Sequence, residues 1–183
     1  MNIIKILLIE DNDKHLADAK NFFSTVENVD VTYAQTLVKA IAQYPKHSDG
    51  SGIGDYNNVN PISMDRLSQY DAIISDIHFP LRNDEHAAYT TYDKRSVDWT
   101  TVQPIGVGIA FMAHILNLPY VLVTDGSHHG NSNEWIYRMM NTLNESTNCG
   151  HRLVAGSDDT TGAKYWASAW EKIQKQLIKA GKL

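Results

Sequence analysis

Three apolar runs, Ile6-Leu7-Leu8-Ile9, Ala72-Ile73-Ile74 and Tyr120-Val121-Leu122-Val123, each give way within two residues to an oxygen-bearing side chain: Glu10-Asp11, Asp76 and Thr124. Runs of this length, apolar without alternation, suit parallel strands covered on both faces. In an open α/β sheet ligands gather at the carboxyl ends of the strands. The three acids and the hydroxyl are therefore expected at one sheet edge, as an acidic metal pocket, with Pro80 four residues beyond Asp76.

The segments between these runs supply the helices. Leu16, Ala19 and Phe23 fall on one helical face, and Asn12 or Asp13 can cap that helix. A second strand is expected around residues 29–33, followed by a helix carrying Leu37, Ala40, Ile41 and Tyr44 that Pro45 stops. Ile105, Ile109, Met112 and Leu116 mark another helix, and Trp135, Ile136, Met139, Met140 and Leu143 the next. Residues 152–155 form a fifth strand, and Trp166, Trp170, Ile173 and Leu177 place an apolar stripe on a last helix over about 163–180. This alternation predicts a parallel sheet. Two stretches interrupt it and read as insertions: a turn-rich one at about 46–61 and a polar, aromatic-sprinkled one at about 81–103, directly after Asp76. Gly106-Val107-Gly108 lacks the strand and third glycine of a phosphate loop, and reads as a helix start packed closely on its neighbour.

With 183 residues, one decorated domain is expected over 1–183. The formal charge of −5 offers no basic footprint for nucleic acid. The apolar N-terminal stretch is too short for a membrane span and shows no targeting signal. Cys149 is the only cysteine, which excludes an intramolecular disulfide and fits a reducing cytoplasm.

Taken together, Leu7-Leu8-Ile9-Glu10-Asp11, Tyr70-Asp71-Ala72-Ile73-Ile74-Ser75-Asp76-Ile77-His78-Phe79-Pro80 and Pro119-Tyr120-Val121-Leu122-Val123-Thr124 resemble the receiver domain of two-component response regulators. The resemblance implies a flavodoxin-like, doubly wound five-stranded parallel sheet of order 2-1-3-4-5 with helices on both faces. It also implies that Asp76 is the phosphoacceptor, that Glu10, Asp11, Asp76 and the main chain of His78 hold Mg²⁺, and that Thr124 contacts the phosphoryl group. A histidine kinase or phosphotransfer protein would be the donor. Because the chain shows no output domain, a protein output partner is expected as well.

The chain departs from that pattern in two places. The family has a lysine at the end of the fifth strand, where this sequence reads Arg152-Leu153-Val154-Ala155-Gly156-Ser157. Arg152 is expected to point elsewhere, and Lys164 could reach back only if the intervening loop folded over the pocket. Asp125 follows Thr124 where a small residue is usual, and its charge, with Asp158 and Asp159, disfavours an incoming phosphoryl donor. These departures favour a pseudo-receiver, a protein-interaction module that works without phosphorylation. A third reading, a metal-dependent phosphoester hydrolase using His128 or His129 as acid or base, lacks a nucleophile paired with an obvious base, so a non-enzymatic regulator is preferred. His78, His86, His128 and His129 gathering around a transition metal is weighed against ordinary exposure, which is favoured. Trp135, Tyr137 and Arg138 are candidate partner contacts.

Overall fold

The computed structural model describes residues 2–36, 40, 64–80, 90–92, 95–97, 102–125, 136, 138–140, 142, 152–156 and 162–183. The insertion at 46–61 lies outside these residues, as do Leu37, Ile41, Tyr44, His86, His128, His129, Trp135, Tyr137, Leu143, Cys149, Asp158 and Asp159.

The chain runs β1 (Ile4–Ile9), α1 (Asp13–Phe23), β2 (Val29–Ala34), α2 (Met64–Leu67), β3 (Ala72–Asp76), β4 (Phe79–Pro80), β5 (Thr90–Tyr92), β6 (Arg95–Val97), β7 (Val102–Gln103), α3 (Ile105–Ile115), β8 (Tyr120–Thr124), β9 (Leu153–Ala155) and α4 (Trp166–Lys179). The main sheet has the order β2-β1-β3-β8-β9 with every pair parallel. Numbering only its own strands gives 2-1-3-4-5, the doubly wound order expected, with β1 and β3 flanking the point where the winding reverses.

Two cores explain the unbroken apolar runs within the central strands. Leu7, Ile9, Ile73, Tyr120 and Leu122 face one layer with Val107, Ile109, Ala110 and Ala113 of α3 and the helical residues Ile136 and Met140. Ile6, Leu8, Ile74, Val121 and Val123 face the other, against Leu16, Ala19 and Phe23 of α1 and Trp166, Trp170, Ile173 and Leu177 of α4. The tryptophan stripe is thus core: Trp170 meets Phe23 edge-to-face at 6.1 Å, a geometry that adds about 0.5–1.5 kcal/mol beyond area burial. β2, an edge strand, exposes Asp30 and Thr32, which accounts for its alternating sequence.

Part of the second insertion has regular structure. β4 pairs antiparallel with β7, and β5 with β6, so two short ladders stand where the sequence reads as a polar loop. Runs of two or three residues are too short for a period-two signal. α4 begins at Trp166 rather than near 163, because Gly162 is left-handed at φ +66° and Lys164 forms an isolated β-bridge.

Asp71 joins the chain's two ends below the sheet. Its carboxylate accepts the Lys5 N–H at 3.0 Å and the Lys182 ammonium at 2.9 Å. Burial alone would raise its pKa, but those partners outweigh it and hold the group below the usual aspartate value of 3.8. A depressed acid stabilises the fold above its unfolded pKa and loses that contribution as pH falls through its folded one. Asp71→Asn is expected to cost under about 1 kcal/mol at neutral pH, since the pair is partly exposed, and progressively less as pH falls below the usual aspartate value and through the depressed folded pKa. Urea midpoints for the two proteins should therefore converge on acidification.

Candidate functional site

The carboxyl edge of β1 and β3 delivers the acids. Glu10 follows the last residue of β1, and its N–H donates to the Ala34 carbonyl at 2.9 Å, holding it in line with β2. Its side chain is fully buried, with Oε1 accepting the Asn12 N–H at 3.1 Å. Asn12 in turn caps α1, its Oδ1 accepting from the N–H groups of Lys14 and His15, so the turn that carries Glu10 and half-buried Asp11 is fixed from both sides.

Asp76 closes β3 opposite Val123 and is 8% exposed. Its Oδ1 accepts the Ile77 N–H at 2.7 Å. Carboxylate oxygens of Glu10, Asp11 and Asp76 all lie within 4.8 Å of one another, forming a largely buried acidic cluster able to bind a metal ion. Gly106, at the start of α3, lets that helix press against the backbone here: its N–H donates to the Ile77 carbonyl at 3.0 Å, and a Cβ at this position would lie 2.0 Å from the Asp76 carbonyl oxygen.

Lys164 completes the cluster. Beyond β9 the chain returns to the pocket, and the buried ammonium sits 2.6 Å from Glu10 Oε2 and 3.0 Å from Asp76 Oδ2. This lysine stands two residues before the aromatic helix. Its approach to Glu10 and Asp76 is legible only in three dimensions; the one sequence signal is a lysine two residues before the stripe of α4.

Burial pushes the Glu10 carboxyl up to about 7, with the neighbouring Asp76 charge adding to the rise and Lys164 opposing it. Burial and the Asp76 charge also raise Asp11. Burial alone would depress the Lys164 ammonium, but Asp76 and Glu10 together hold it above the usual lysine value. Three carboxylates against one ammonium leave two negative charges when all are ionised. A divalent cation with hard oxygen preference matches both the charge and the donor set.

Thr124 closes β8, one residue beyond the register partner of Asp76, and is buried, its carbonyl accepting the Gly156 N–H at 2.9 Å. His78 lies half-buried between β3 and β4, and its imidazole is not part of the group of three acids. Asp125 is exposed and turned to His15 of α1, with Nε2 and Oδ2 3.2 Å apart, so its charge has a local partner that sequence reading missed. Arg152 is not in the acidic pocket: its guanidinium lies 4.3 Å over the Tyr120 ring, at the other end of β8. Among the described residues, no helix is long and apolar enough to cross a membrane.

Fold and site define a flavodoxin-like α/β protein with a lysine-bridged acidic cluster at the carboxyl edge of its sheet. Compared with family models, curated proteins and solved structures, the chain finds no match.

Proposed function

We propose that this chain is a receiver-like signalling domain in which Asp76 accepts a phosphoryl group in a Mg²⁺-dependent reaction. The observation that carries the reading is the Lys164 ammonium, 3.0 Å from Asp76 and 2.6 Å from Glu10 in a cluster of three acids. Glu10, Asp11 and Asp76 would hold Mg²⁺, with the main chain of His78 as a further ligand. Bound there, the ion supplies charge neutralisation for the phosphoryl oxygens of the donor.

The chain's own groups do the rest. An Asp76 carboxylate oxygen attacks phosphorus in line, the bond from phosphorus to the donor nitrogen breaks, and that nitrogen leaves with a proton, giving an acyl phosphate. The Ile77 N–H orients the carboxylate through Oδ1. Lys164 places a fixed positive charge where the phosphoryl oxygens arrive, and Thr124 offers a hydroxyl from the adjacent strand. The physiological donor would be a phosphohistidine on a cytoplasmic histidine kinase or phosphotransfer protein, and the readout a protein partner sensing the altered surface.

A second reading, the phosphorylation-independent module, draws on the same lysine: it already bridges Glu10 and Asp76, so the cluster is partly neutralised without an added cation. Incubation with a small phosphoramidate, followed by intact mass, separates the two. The expected result is a gain of one phosphoryl group that requires Mg²⁺ and is absent in Asp76→Asn. No gain in a folded protein would support the module, and multiple turnover of a phosphoester that Asp76→Ala abolishes would support a hydrolase.

A further inference from the structure

At the opposite edge of the sheet, a cleft of about 280 Å³ opens between the C-terminal ends of α3 and α4, where β8 begins and the chain enters β9; His114, Asn117, Pro119, Arg152, Gln176 and Lys179 contribute to its walls. The described walls contain no acid. Arg152 is 6% exposed, and among the described residues its guanidinium makes no hydrogen bond or ion pair; its contact is the face of Tyr120 at 4.3 Å. Its Nε is buried with no hydrogen-bond partner, and leaving such a donor unsatisfied is costly.

Capping of the two helix ends does not account for this arginine. At the end of α3 the Leu118 N–H donates to the Ala113 carbonyl and the Asn117 N–H to that of His114; at the end of α4 the Lys182 N–H donates to Leu177 and the Gly181 N–H to Ile178. Backbone groups thus already take terminal carbonyls of both helices. Gln176 is committed too, its side chain accepting the Tyr120 N–H at 3.2 Å and donating to the Tyr120 carbonyl at 3.0 Å. What remains is a recess with two cationic side chains, Arg152 and Lys179, on its walls, the arginine lying over an aromatic ring with its Nε unsatisfied.

We propose that this cleft binds a small oxyanion, a carboxylate- or phosphate-bearing molecule, with Arg152 as its principal contact. A planar guanidinium anchored over a ring can present its N–H groups to two oxygens of such a group in the bidentate manner that favours arginine over lysine. The site uses none of the acids of the opposite edge.

The test is a titration of the full chain with inorganic phosphate and, separately, succinate, without divalent metal and against chloride at matched ionic strength. Thermal unfolding and the ¹⁵N resonance of the Arg152 side chain are followed together. The expected result is a saturable rise in melting temperature and a shift of that resonance, with binding weakened roughly 10- to 100-fold in Arg152→Met. Phosphate alone acting would identify a phosphoryl ligand, and succinate alone a carboxylate. The Arg152 resonance is read in the unaltered protein, so the test holds even if the variant fails to fold. No effect beyond chloride from either anion, an unmoved Arg152 resonance, or equal binding in a folded Arg152→Met protein would overturn the proposal.

Discussion

Lys164→Met is expected to cost the protein about 3–5 kcal/mol of stability in the presence of EDTA, with Mg²⁺ restoring a substantial part of the loss. The ammonium is buried between Glu10 and Asp76, and methionine leaves their carboxylates, with Asp11 beside them, facing one another without a cation. Removing one partner of a buried ion pair strands the other in a medium that solvates it poorly, and this dominates the cost. A divalent ion can take the place of the lost charge, so Mg²⁺ should stabilise the variant more than the parent. Urea unfolding of both proteins, with EDTA and with Mg²⁺, measures this. Equal Mg²⁺ effects on the two would mean that the lysine and the metal do not share the cluster.

Gly106→Ala is the second large effect, expected at about 1–3 kcal/mol or more. The added Cβ would stand 2.0 Å from the Asp76 carbonyl oxygen and 2.9 Å from Ile77 Cα, both backbone atoms of β3 and the turn after it, so no flexible side chain can yield. Helix α3 must move off the sheet or Asp76 must move with its strand. The same substitution at Gly108, two residues on, has nothing within 4 Å of the new atom and removes a helix-weakening glycine. Gly108→Ala should be neutral or stabilising by up to about 1 kcal/mol. Urea denaturation of the pair isolates the contact beneath Asp76 from any general effect of filling the helix, and Gly106→Ala alone should also lower the proposed phosphoryl acceptance.

The sheet was legible because its central strands are largely buried on both faces: β1, β3 and β8 each carry an apolar run, and the polar side chain beyond each run is set by register at the same edge. The acidic trio follows from that placement alone. The tryptophans of α4 announced their face by spacing, and their aromatic partner Phe23 lies on α1 across the same layer. Lys164 was harder to place, because its return to Glu10 spans 154 positions and leaves no periodic signal in the sequence. His15 was hidden for a related reason: a histidine inside the first turn of an amphipathic helix carries no mark of the Asp125 carboxylate it will meet. Arg152 could be excluded from the acidic edge by its position before β9, but the cleft it enters is assembled from two helix ends and has no linear signature.

The proposed phosphoryl transfer to Asp76 is tested most directly by locating the phosphoryl group. After treatment with a phosphoramidate and Mg²⁺, borohydride reduction converts an aspartyl phosphate to homoserine, which peptide mapping by mass spectrometry assigns to a residue. Homoserine at position 76, formed only with Mg²⁺ and lost in Asp76→Asn, is the expected result. A protein that remains unmodified, or one whose phosphoryl group is found on a histidine or another acid, would contradict the assignment of Asp76 as the acceptor.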